Sequence, residues 1–198
     1  MQYEEDDEPL GYARYRVRGD GSPGWPNGTL AVQELMALTE NAYAALWSYL
    51  FGVDLIANIE AHHRRVDEPL FWMLADPRRL VRRQYDTLWV RLVDIPAALE
   101  ARRYATEGRL VLDVRDPFCP WTEGRYELEG GPEGARCRRS DAEPDIALSA
   151  GDLGAIYLSG PRLTTLRQAG RVQGDWEALR RADAMFAWDP APWCPEVF

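Results

Sequence analysis

The stretch DPRRLVRRQY, residues 76–85, interrupts the apolar patterning of this chain, and the patterning restarts beyond it, so two separate cores are expected rather than one. Before it, QYE and YARYRV flank the turn DDEPLG as a β-hairpin. TLAVQELMAL alternates as a strand, with Leu30, Val32 and Glu34 on one face and Ala31, Gln33 and Leu35 on the other. NAYAALWSYLFGV is helical, with Leu46, Tyr49, Leu50 and Val53 as its apolar stripe. DLIANIEAHH reads as a further strand and EPLFWMLADPRRL as a short helical piece. After the interruption LWVRLV alternates, and Asp94 with Pro96 opens a helix through ALEARRYA. RLVLDVR is a strand with Leu110, Leu112 and Val114 on one face, and RYELE and ARCRR around GGPEG form a hairpin. Ser149 and Asp152 make a capping box before LGAIYL; LTTLRQAG and WEALRRADAMFAW are helices. The expected class is α+β: an α/β unit over residues 1–83, then an α+β unit over 84–198 with a mainly antiparallel sheet.

Composition narrows the function. With 46% hydrophobic residues and eight Trp among 198, the chain has material for real cores. A net charge of -9 argues against nucleic acid and favours a cationic partner. Cys119, Cys137 and Cys194 are odd in number and lack metal-ligand spacing, so reduced thiols in the cytoplasm are expected. No apolar run approaches the roughly 20 residues that span a bilayer, and the start, MQYEEDDEPLG, is acidic where a signal peptide is basic. A cytoplasmic protein with no membrane association is the reading.

Few constellations carry chemistry. His62 and His63 are neighbours on an expected strand and point to opposite faces, so they do not chelate as a pair, and no metal is expected. With only two histidines, no Ser-His-Asp or Cys-His order is persuasive. No glycine-rich phosphate loop is present. Where a strand runs directly into a helix the connection is Thr39-Glu40-Asn41: Thr39 is a good cap, and Glu40 sets negative charge on amides a phosphate needs. Asp94 is a helix cap or a carboxylate facing a cleft. The chain ends in AMFAWDPAPWCPEVF, stiff and apolar, with Glu196 and the Phe198 carboxylate as its anions. One reading has Trp188, Trp193 and Phe198 close a core. The other has that packing deliver the terminal carboxylate into a pocket as a general base, a role needing its ordinary pKa of about 3.5 raised by desolvation.

Over nearly the whole chain, LVDIPAALEAR, AIYLSG followed by LTTL, and the aromatic terminus resemble the Eis (enhanced intracellular survival) family of bacterial N-acetyltransferases. The resemblance implies that residues 1–83 are part of a second, cofactor-free GNAT-like domain and 84–198 a sterol-carrier-like domain. It implies acetyl-CoA as acetyl donor, held by an N-terminal GNAT domain that carries a tyrosine acid and lies outside this chain. It places the general base at Phe198 and an acidic amine pocket at Asp94 and Glu196. The family's penultimate glutamate falls on Val197 here, with Glu196 one place earlier. Expected partners are an amine (aminoglycoside, polyamine or lysine-like), the N-terminal GNAT domain and further copies of the chain in a homo-oligomer. The chain alone is then inactive. The alternative is a sterol-carrier-like module that binds an apolar ligand or mediates oligomerisation.

Overall fold

A computed structural model describes residues 1–19 and 27–196. It falls into two compact units: Met1–Arg64, joined by Pro195 and Glu196 of the tail, and Arg65–Cys194.

The first unit holds a four-stranded sheet in the order β1-β2-β3-β4. β1 (Gln2–Glu5) and β2 (Glu8–Arg18) form the expected antiparallel hairpin. Its two turn residues, Asp6 and Asp7, both adopt positive φ, of 52° and 65°, the handedness that matches strand twist in a two-residue turn. β3 (Gly28–Ala37) pairs antiparallel with β2 and parallel with β4 (Ile56–Ala61), and α1 (Glu40–Phe51) crosses between β3 and β4. Two details differ from expectation. Leu30, Ala31 and Val32 are all buried, so the middle of β3 is covered on both faces rather than alternating. The buried stripe of α1 is Ala42, Leu46, Trp47 and Leu50, not one continued by Tyr49 and Val53. The helix stops at Phe51, and Tyr49 lies on its flank, 45% exposed, with its hydroxyl 3.1 Å from that of Tyr15.

The second unit begins with α2 (Leu70–Met73) and a 3-10 turn at Pro77–Arg79. LWVRLV then forms no strand. Its alternation survives as burial only: Leu92 is buried and Val90 packs on the core, while Trp89 is 83% exposed. Without a partner strand the segment crosses α4 (Ala150–Tyr157), where a Cβ on Gly154 would stand 2.2 Å from the Val90 carbonyl oxygen. Only glycine fits that crossing.

Beyond it, α3 (Ile95–Glu100) ends sooner than expected, because Tyr104 turns into the core, donating its hydroxyl to Leu99 O at 2.9 Å. The sheet has the order β7-β6-β5-β8-β9, from β5 (Gly108–Arg115), β6 (Gly124–Gly131), β7 (Gly134–Arg139), β8 (Ile146–Ser149) and β9 (Gln173–Gly174). All pairings are antiparallel except β5 with β8. Leu110, Leu112, Val114, Tyr126, Leu128 and Ile146 pack against α3, α4, α5 (Leu163–Gln168) and α6 (Trp176–Phe186). Between β5, β6 and β7, Glu127 is gripped by Arg109 at 2.6 Å and Arg138 at 3.0 Å, which holds its carboxyl below the usual range. The short strands β8 and β9 escaped the sequence reading, since four and two residues carry no resolvable period.

Candidate functional site

The C-terminal tail was expected to carry the chemistry, and its course begins at α6. Asp175 caps that helix, accepting from Ala178 N at 2.8 Å. Asp183, buried in its last turns, accepts from Leu163 N at 2.5 Å and from the Thr164 hydroxyl at 2.6 Å, fastening α6 to the start of α5. The tail leaves at Phe186, whose ring meets Tyr104 edge-on at 5.2 Å. The Arg102 guanidinium lies over both rings, 4.6 Å from the Tyr104 centroid and 4.7 Å from that of Phe186. Arg102 Nη2 donates to Phe186 O at 3.3 Å, Nη1 donates to Tyr157 O, and the Ser159 hydroxyl donates to Phe186 O as well.

Farther out, the tail meets the first turn of the second unit. Ala191 N donates to Asp67 Oδ2 at 3.2 Å. That carboxylate is gripped by Arg65 through two bonds, Nε to Oδ1 at 2.9 Å and Nη2 to Oδ2 at 2.7 Å, the forked geometry of a strong ion pair. The Arg65 guanidinium, with help from the Ala191 amide, holds the Asp67 carboxyl down at about 2. Next to it Glu68 is buried, and burial pushes its carboxyl up to about 7 against the pull of Arg82. Asp67 and Glu68 are thus adjacent carboxyls in opposite states: one a fixed anion, the other near its titration point at neutral pH.

The predicted site residues are placed as follows. Asp94 is exposed and caps α3, Oδ1 accepting from Ala97 N at 3.0 Å, the ordinary role expected of it. Glu196 is exposed and belongs to the first unit, whereas Asp94 belongs to the second. Phe198, the expected base, lies outside the described residues. Core closure by the tail does not extend to Trp188, which is 56% exposed, while Trp193 is half-buried. His62 and His63 follow β4 rather than lie in it, with ring centroids 6.5 Å apart, so strand alternation is not what separates them. Among the described residues no group of three or more His, Cys, Asp or Glu is placed to hold a metal ion. The three cysteines are free thiols. No described helix is long and apolar enough to cross a membrane.

At the strand-to-helix junction of the first unit, Thr39 Oγ1 accepts from Ala42 N at 3.1 Å and Glu40 occupies the first turn of α1. One amide of the helix start is thus capped and the first turn carries a carboxylate, so this junction is a poor fit for the pyrophosphate of acetyl-CoA. In the second unit a cleft of about 500 Å³ is lined by Asp113, Gly124, Arg125, Arg139, Ser140 and Asp141. It is polar, and its arginines are spent on backbone carbonyls: Arg125 on Ala142 O at 3.2 Å, Arg139 on Trp121 O at 2.7 Å.

Sequence reasoning missed Arg65, Asp67, Glu68, Arg102 and Ser159. The run RRVDEPL looks like a charged connection, and nothing local marks Asp67 as the acceptor for an amide 124 residues away.

Comparison with known proteins places both units. Residues 1–92 match the acetyltransferase (GNAT) domain family, and residues 95–195 match the sterol carrier protein domain family. An uncharacterized N-acetyltransferase of Streptomyces avermitilis is 46% identical over 98% of this chain and 48% of its own length. The N-acetyltransferase Eis of Mycobacterium tuberculosis H37Ra is 42% identical over 91% of this chain and 43% of its own. The crystal structure of Eis1 from Mycobacterium abscessus superposes with a TM-score of 0.79 at 35% identity, over 95% of this chain and 48% of that one. A GNAT-like unit followed by a sterol-carrier unit defines the class. The chain belongs to the Eis-like family of GNAT N-acetyltransferases, and it spans about half the length of the curated relatives it matches.

Proposed function

We propose that this chain contributes the base-bearing part of an acetyl-CoA-dependent N-acetyltransferase that acts on amines. The Phe198 carboxylate takes a proton from the substrate ammonium. The freed nitrogen attacks the carbonyl carbon of an acetyl thioester held by a GNAT domain outside this chain, the C–S bond breaks, and coenzyme A leaves as its thiol, taking up the second proton lost by the nitrogen. Asp94 and Glu196 contribute to an acidic pocket for the amine, and the net charge of -9 draws a cationic acceptor. The complete enzyme is a homo-oligomer.

The observation that carries this reading is the course of the tail. It is tied at Phe186 and again at Ala191, only a few residues from the chain end, although Trp188 between them is largely exposed. The Phe186 ring is buried in the core at the root of the tail, but beyond it Trp188 is exposed and the chain is held through the Ala191 amide. The polar lining of the cleft in the second unit also favours this reading over an apolar-ligand module.

The test is one glycine added after Phe198 in the chain combined with the GNAT half of a family member. The addition converts the carboxylate into an amide and leaves the ring in place. Acetylation of a polyamine should fall by about 10²- to 10⁴-fold, the usual contribution of a positioned base, with thermal stability unchanged. An unaltered rate would leave Phe198 no chemical part.

A further inference from the structure

We infer that Asp67 and Arg102 are positioning residues for the C-terminal tail, holding its backbone at two places so that the last residues start from a defined point. The inference rests on the role proposed above for Phe198. Its physical basis is entropic. A tail of this length, left free, samples many conformations, and a terminal carboxylate would occupy one reactive position for a small share of the time. Each anchored point removes part of that freedom before substrate arrives, which is how positioning lowers a barrier.

The two anchors differ in kind. At the root, Arg102 lies against the Tyr104 and Phe186 rings, which meet edge-on, and is bonded to the carbonyls of Tyr157 and Phe186, so it joins the ends of α4 and α6. Ser159, at a positive φ of 63°, adds a second donor to Phe186 O. This anchor fixes the direction in which the chain leaves α6. Farther out, Asp67 takes the Ala191 amide while both its oxygens are bonded to Arg65. The forked pair fixes the carboxylate plane, so the Ala191 amide is offered an acceptor in one orientation. Between the anchors lie Asp189-Pro190 and Trp188, a stretch shortened in its freedom by proline. The inner anchor holds a buried ring and its carbonyl together, whereas the outer one acts on the backbone amide alone, which suits a device that sets the course of the exposed tail.

The experiment is amide hydrogen exchange on the 198-residue chain, comparing the unaltered protein with Asp67→Ala and Ser159→Ala. Asp67→Ala should speed exchange at residues 188–194 by at least tenfold while β5 and β6 stay as protected as before. Ser159→Ala, which removes one donor from Phe186 O with little change in volume, should speed exchange at Ala187 and Trp188. It also guards against Arg102 variants that fail to fold. In the chain combined with the GNAT half, Asp67→Ala should lower kcat per folded enzyme about tenfold and leave KM for acetyl-CoA unchanged, the unchanged protection of β5 and β6 excluding general destabilisation as the cause. Unchanged exchange in both variants overturns the inference whatever the kinetics. Faster exchange with kcat unchanged overturns it too, provided the added glycine abolishes activity, because the tail is then catalytic but not positioned here. If the added glycine has no effect while exchange still rises, the anchors stand and the role of Phe198 fails.

Discussion

Glu68 is a residue whose ionisation is set by its surroundings. Its carboxyl is buried and pushed up to about 7, so the folded chain holds a proton more tightly than the unfolded one does. The sign follows from linkage: a raised carboxyl pKa gives stability that is full below the unfolded value, near 4.5, and is lost as pH rises toward 7. Glu68→Gln is neutral throughout and escapes that loss. Between pH 5 and pH 8 the variant should gain roughly 2 kcal/mol on the unaltered protein, measured by denaturant unfolding at each pH. Parallel stability curves would mean that Glu68 is not desolvated. Asp67, one residue earlier, shows how finely this is set, since Arg65 and the Ala191 amide keep it anionic to about pH 2. Nothing in the run RRVDEPL distinguishes these two acids. One is set by an arginine two residues away and an amide 124 residues away, the other by burial, and neither can be seen in a linear pattern.

At the scale of elements, the caps were the most legible features. Thr39, Asp94, and Ser149 with Asp152 all hold the helix starts they occupy, and Asp175, which the sequence reading passed over, caps α6. A cap is a bond across three residues, so residue type and spacing nearly determine it. LWVRLV failed for the complementary reason: alternation states which side chains turn inward, not whether a neighbouring strand exists to pair with. Asp94 sits where the two kinds of information meet, because a cap and a pocket carboxylate look alike in sequence. They can be separated experimentally. Asp94→Asn keeps an acceptor for Ala97 N and removes the charge, whereas Asp94→Ala removes both. The alanine variant should lose about 1 kcal/mol of stability and the asparagine variant a few tenths at most. If the acidic pocket includes Asp94, both should raise KM for a polyamine several-fold in the combined enzyme. An asparagine variant with unaltered KM would leave Asp94 as a cap alone.

At the scale of the whole molecule, the strand-helix junction of the first unit is capped by Thr39 and carries Glu40 in the first turn of its helix, an arrangement unfavourable to a pyrophosphate. The 198-residue chain by itself should therefore release no coenzyme A from acetyl-CoA in the presence of a polyamine, and should gain that activity when the GNAT half of a relative is supplied. Turnover by the chain alone, followed by thiol release, would show that an acetyl-CoA site exists within it. The family and the α+β class were open to sequence, because they rest on repeated short-range patterns and on runs such as LVDIPAALEAR and AIYLSG. Order within the sheets, the parallel β5–β8 pairing, the crossing at Gly154 and the two tail anchors were not. These are contacts between residues far apart in the chain, selected by which packing buries the most apolar surface and leaves the fewest polar groups unbonded. Local preference determined the parts of this protein, and only the closed tertiary structure decided which acid would hold its tail.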